Sequence, residues 1–191
     1  MVRLNVLVKG DPDATLLEGL FSTLTDCSFQ FYMGEGTASL AAVGRSVLFR
    51  EGGPLMVVID GETFSPRKAA KEREVALGML HLISTAAHCD VFVFVPGLEV
   101  IFFETPGVLI RRFGADAVTE SVIERGHYLP EDTLARILSP AGLSKEDFFQ
   151  SLTSEELEEL RKGPQASKLI AAVEKLAAAA ARAERVALAP S

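Results

Sequence analysis

The sequence predicts an α/β protein: a mostly parallel sheet flanked by helices, followed by a helical C-terminal extension. Three observations predict it. Apolar runs rich in β-branched and aromatic residues recur at 2–8, 28–33, 54–59 and 91–95. A stretch with helical character separates each run from the next, and that alternation marks βαβ units whose helices cover both faces of a sheet. Beyond about residue 115 the strand signals stop while helical ones continue. The chain therefore divides into an α/β domain at 1–115 and a helical extension at 116–191.

Each element has a local reason. The first strand, VRLNVLV, is closed by Gly10, and Asp11-Pro12 supplies a helix start with Asp11 as cap. Leu16, Leu17, Leu20, Phe21 and Leu24 then fall on one helical face. A short strand at 28–33 leads into Gly34-Glu35-Gly36, after which Thr37 caps a helix bearing Leu40, Ala41, Val43 and Val47. PLMVVI runs straight into Asp60-Gly61-Glu62, and Ser65-Pro66 opens a long helix to about residue 87. VFVFV is the strongest strand signal and ends at Pro96-Gly97. From Leu98 to Glu104 the content reads as strand. In the extension, helices are expected at 130–138, 144–150, 154–161 and 167–187. The last carries a stripe of Leu169, Val173, Leu176 and Ala180, which suits packing back on the domain, self-association or a solvated tail.

Composition excludes several classes. At 191 residues with 48% apolar content, the chain has material for a real core. A net charge of −7 argues against a broad electrostatic grip on nucleic acid, although a small site could still reach one phosphate. Two cysteines, Cys27 and Cys89, offer no disulfide framework or metal-ligand spacing. The N-terminal run lacks the length of a signal h-region, and no apolar stretch approaches the ~20 residues of a membrane span. The expectation is a soluble, cytoplasmic protein without membrane association.

Ligands of open parallel sheets bind outside the carboxyl ends of the strands. Lys9, Gly10, Asp11 and Asp13 fall there, as do Gly34, Glu35 and Gly36, then Asp60 and Glu62, then Pro96, Gly97 and Glu99. Carboxylates gathered from separate strand ends suit a hard divalent cation, Mg²⁺ or Mn²⁺. Taken singly, Asp60 and Glu62 also make a strand-terminating turn, and Asp11 and Asp13 also suit the first turn of a helix. Arg67, Lys68, Lys71 and Arg73, with Arg45 and Arg50, either guide a nucleic-acid strand or form a solvated face partnered by Glu72 and Glu74. His81 and His88 lie seven apart, too far along one helix to share a metal, and His127 has no evident partner.

The order of these clusters resembles a TOPRIM domain, the Rossmann-like fold of topoisomerases, primases and OLD-type nucleases. LVKGDPDATLLEGLF resembles its opening motif, YMGEGTASL its glycine-bearing second-strand turn, MVVIDGE its acidic metal strand, and VFVFVPGLEVIFFE a later segment of OLD-like members. The resemblance spans about residues 3–105 and makes 98–104 a helix. It implies metal binding and catalysis at Asp13, Asp60 and Glu62, with Glu99 as a further ligand. Phosphate contacts would then fall to Lys9, Gly34, Gly36, Arg67 and Lys68.

Two departures bear on activity. Lys9 stands where the family places a general acid/base glutamate, and Glu62 stands where many members have aspartate. An ammonium beside the carboxylates repels a cation, though it can contact a phosphate as a point charge. Two readings follow: a divalent-metal-dependent nuclease or phosphodiesterase, or an inactive TOPRIM-like binding or scaffold module. The resemblance leaves room for assembly with itself or with a partner ATPase.

Overall fold

Four strands, β1 (Val2–Val8), β2 (Cys27–Met33), β3 (Leu55–Asp60) and β4 (Cys89–Phe94), form one parallel sheet in the order β2-β1-β3-β4. The computed structural model describes residues 1–34, 36–81 and 88–187. Glu35, the side chain of Thr37 and the expected end of the third helix at 82–87 lie outside the described residues. The strands alternate with α1 (Asp11–Phe21), α2 (Gly36–Arg50) and α3 (Pro66–His81). Then come α4 (Val100–Glu104), α5 (Gly107–Phe113), α6 (Glu120–Tyr128) and α7 (Pro130–Leu138). A 3₁₀ turn, Ser139–Ala141, precedes α8 (Lys145–Gln150), α9 (Ser154–Arg161) and α10 (Pro164–Ala187).

Period-two alternation sends each strand's side chains into two cores. Leu4, Val6, Val8, Met56, Val58 and Phe94 face α1, α4 and the C-terminal helices. Leu7, Leu55, Val57, Ile59 and Val91 face α2 and α3. Asn5 interrupts the apolar run of β1: its Nδ2 donates to the carbonyls of Gly52 at 3.1 Å and Pro54 at 3.4 Å, while its buried Oδ1 accepts no hydrogen bond from the described residues. The side chain thereby fastens the loop before β3.

The first core runs without a break from Leu4 through Phe102, Leu134 and Phe148 to Ala177, crossing residue 115. The stripe on α10 is buried: Leu169, Val173 and Leu176 belong to this core, and Ala180 beyond them is buried as well. Packing back on the sheet is therefore the fate of this helix. Its second residue, Gln165, accepts the Val95 N–H at 2.8 Å and donates to the Val95 carbonyl at 2.7 Å. Arg161 adds a second tie, donating to the carbonyls of Leu20 at 2.9 Å and Gly19 at 2.7 Å, where α1 ends.

Two local expectations need adjustment. Gly10, not Asp11, caps α1: its backbone is extended and its carbonyl accepts the Ala14 N–H at 3.1 Å. Starting one residue early moves Asp13 deeper into the first turn. The apolar stretch after Gly97 is helical, with Val100, Ile101, Phe102 and Phe103 all buried. A helix buried on every side reads like a strand because neither shows an amphipathic period. Among the described residues no helix is long and apolar enough to cross a membrane.

Candidate functional site

The carboxyl ends of β1, β3 and β4 meet at a cleft of about 320 Å³, lined by Lys9, Asp13, Gly36, Asp60, Glu62 and Glu72 and by apolar neighbours. An adjoining cleft of about 380 Å³ shares Lys9, Asp60 and Glu62 and extends over Gly97 and Glu99 to α6 and α7. Asp13 enters from the first turn of α1 and is 6% exposed; Glu99, just before α4, is 2% exposed. Asp60 ends β3. Its Oδ1 accepts the Leu98 N–H at 2.8 Å, which ties the β3 and β4 ends together. Backbone bonds complete the lacing: Gly61 donates to Phe94 at 2.9 Å and Glu62 to Pro96 at 2.8 Å. A Cβ on Gly61 would meet the Phe94 oxygen and Val93 Cγ1 at 2.9 Å, so this approach has no room for a side chain. Glu62 turns outward with φ +46°, a left-handed conformation uncommon outside glycine and asparagine.

Two lysines pair with part of the cluster. Lys145, the first residue of α8, places Nζ 3.0 Å from Asp13 Oδ1 and donates to Glu99 Oε1. Lys9 lies 3.8 Å from Asp60 Oδ2 and 3.8 Å from Glu131 Oε2 on α7. Burial raises the Asp60 carboxyl to about 6, helped by the Glu99 and Asp13 charges and opposed by the Leu98 N–H and Lys9. Burial also raises Asp13, against the pull of Lys145. For Lys145 burial works against the ammonium, but Glu99 and Asp13 outweigh it and the net shift is upward. Among the described residues, no group of three or more His, Cys, Asp or Glu side chains is disposed to hold a metal ion.

Comparison with protein-family models, curated proteins and solved structures found no match. The site therefore has to be read from its own geometry.

Of the residues expected at the site, Lys9, Asp13, Asp60 and Glu99 come together, and Glu62 and Gly36 line the first or second cleft beside them. Gly34 lines neither; its N–H donates to the Val8 carbonyl at 3.0 Å. Arg67 and Lys68 are exposed at the start of α3 and line neither cleft. Arg73 turns to the sheet instead, bonding Asp90 and the Val91 carbonyl at 2.5 and 2.8 Å.

Lys145 and Glu131 are the members that sequence reasoning misses. Both come from the helical extension, far along the chain from the strands they reach. Buried carboxylates demand a compensating cation, but no local pattern says which lysine supplies it. KEDFFQ shows only a capped short helix, with Ser144 Oγ accepting the Asp147 N–H at 3.0 Å.

Proposed function

We propose that this protein is a TOPRIM-like binding module that has exchanged its metal site for internal ion pairs. The observation that supports this best is Lys145 Nζ between Asp13 and Glu99. The donor set does not fit Mg²⁺ or Mn²⁺ in this arrangement. One oxygen each of Asp13 and Glu99 is turned to Lys145, while Asp60 is shared between the Leu98 N–H and Lys9. At an effective dielectric of about 20, a divalent ion about 4 Å from an ammonium is repelled by roughly 8 kcal/mol. Lys9, where the resembled family has an acid/base glutamate, adds to that repulsion and removes the proton carrier.

Calorimetric titration with Mg²⁺ and Mn²⁺ tests the proposal, with Asp60→Ala and Lys145→Ala as companions. The expected result is no binding to the natural chain at millimolar metal, and binding that appears when Lys145 is removed. Metal binding by the natural chain that Asp60→Ala abolishes would overturn the proposal. It would favour the second reading, a divalent-metal-dependent nuclease or phosphodiesterase acting through Asp13, Asp60 and Glu62. What favours that reading is the convergence of Asp13, Asp60 and Glu99 at three strand ends beside an open cleft.

A further inference from the structure

Three large apolar side chains are exposed together at the mouth of the second cleft. Phe64, in the loop after β3, and Tyr128, at the end of α6, are 55% and 56% exposed, and Leu129 beside them is 45% exposed. The two rings meet edge to face with centroids 5.5 Å apart. Exposed aromatic rings held in a fixed pair at a cleft mouth mark an interaction surface better than scattered apolar residues do.

The charge around this patch selects the occupant. The cleft is lined by Asp60, Glu62, Glu99, Glu131 and Asp132 against a single ammonium, Lys9. Lys145 offsets Glu99 from outside the lining, and Lys9 lies between Asp60 and Glu131. Glu62 and Asp132 form no ion pair among the described residues. A phosphodiester brought here meets carboxylates and is repelled. A guanidinium finds the opposite: aromatic faces for cation–π contact and unpaired carboxylates for its N–H groups. Arginine suits both better than lysine, being planar and weakly hydrated.

We infer that Phe64, Tyr128 and Leu129 form a docking surface for an arginine-bearing segment of a partner protein, anchored by Glu62 and Asp132. This deepens the binding-module reading and rests on it for the partner's being a protein. The test is fluorescence anisotropy with a labelled arginine-rich peptide, in EDTA and at low salt. A labelled glutamate-rich peptide and labelled single-stranded DNA are titrated separately, since mixed with the arginine peptide they would bind it directly. The arginine peptide should bind and weaken with added salt, whereas neither of the other two probes should bind. Phe64→Ala with Tyr128→Ala should weaken binding about tenfold while leaving every charge in place, and Tyr128→Phe should retain it. Glu62→Gln with Asp132→Asn should weaken it by a similar factor. Unchanged affinity in the aromatic double variant would mean that the peptide senses only net charge, and the docking surface would be refuted. Direct binding of the DNA that the aromatic double variant weakens, or self-association blocked by the same variants, would assign the patch to nucleic acid or to a second copy instead. Working in EDTA separates this from the metal titration. Peptide binding alongside metal binding sinks the module proposal alone, whereas neither binding sinks the docking surface alone.

Discussion

Lys145 Nζ lies 3.0 Å from Asp13 Oδ1, a contact that joins the first turn of α1 to the first residue of α8. Lys145 also pairs with Glu99, so one ammonium holds two buried carboxylates. Lys145→Met should therefore cost about 3–5 kcal/mol near neutral pH, because it strands both acids without a partner. Urea denaturation checks this. The penalty should shrink under mild acid, where Asp13, already raised by its burial, protonates; a loss below about 1 kcal/mol would mean that the acids had found another partner.

Asp60 sets a pH dependence of known sign. Its folded value of about 6 lies above the ordinary 3.8, so folding favours the protonated acid. The associated stability is fully present below 3.8 and is lost as pH rises through about 6. Asp60→Asn keeps an acceptor for the Leu98 N–H and removes the buried charge. It should stabilise the chain by about 1–3 kcal/mol near pH 7.5, and by about half as much near pH 5. Loss of the half-exposed Lys9 partner subtracts little. Thermal melts at the two pH values decide it, and a destabilised variant at the higher pH would contradict the assignment.

Glu156 should behave in the opposite sense. Hydrogen bonds from Arg112, then those from Thr153, hold its carboxyl down at about 2, against its burial. Arg112 reaches it through Nε at 2.7 Å and Nη2 at 2.5 Å, and also donates to the Ser151 carbonyl at 2.6 Å. This clamp joins α5 to the start of α9. Its stability is present above pH 4.5 and is lost as pH falls from there to about 2. Glu156→Gln should cost about 2 kcal/mol at neutral pH. In denaturant titrations across that acid range the two proteins should converge.

Two glycines should respond in opposite directions to alanine. A Cβ on Gly126, in α6, would fall 2.0 Å from Phe103 Cδ1, since α4 and α6 touch at that point. Gly126→Ala should cost about 2–3 kcal/mol through overpacking. Gly78, exposed on α3, has open space around its missing Cβ. There alanine should add about 0.5–1 kcal/mol by reducing the freedom of the unfolded chain. Melting temperatures of the two variants should move apart, and a shared direction would contradict the packing of α6 on α4.

Much of this architecture is legible in the chain because it is written locally. VFVFV and LMVVI declare strands by content, and Ser154–Arg161 appears residue for residue where its acids and cap place it. Asp13, Asp60 and Glu99 share one site because strand ends of a parallel sheet share one edge. Helices α5 and α6 carry weaker signals: the first opens on Gly107 behind Pro106, and the second holds Gly126 in its last turn. Lys145 and Glu131 are invisible for a different reason. Asp13 and Lys9 lie more than 100 residues before them in the chain, and only tertiary packing chooses such partners.

The carboxamide of Gln165 meets both backbone groups of Val95, as a neighbouring strand would. β4 borders the sheet, and a border strand offers its unpaired amides to any extended chain it meets. Gln165 plugs that offer just beyond the C-terminal end of β4, while Arg73 takes the Val91 carbonyl further back. The helix that completes the core thus also blocks one end of this border, leaving β2 as the sheet's other edge. Its removal would endanger solubility at high concentration as well as stability.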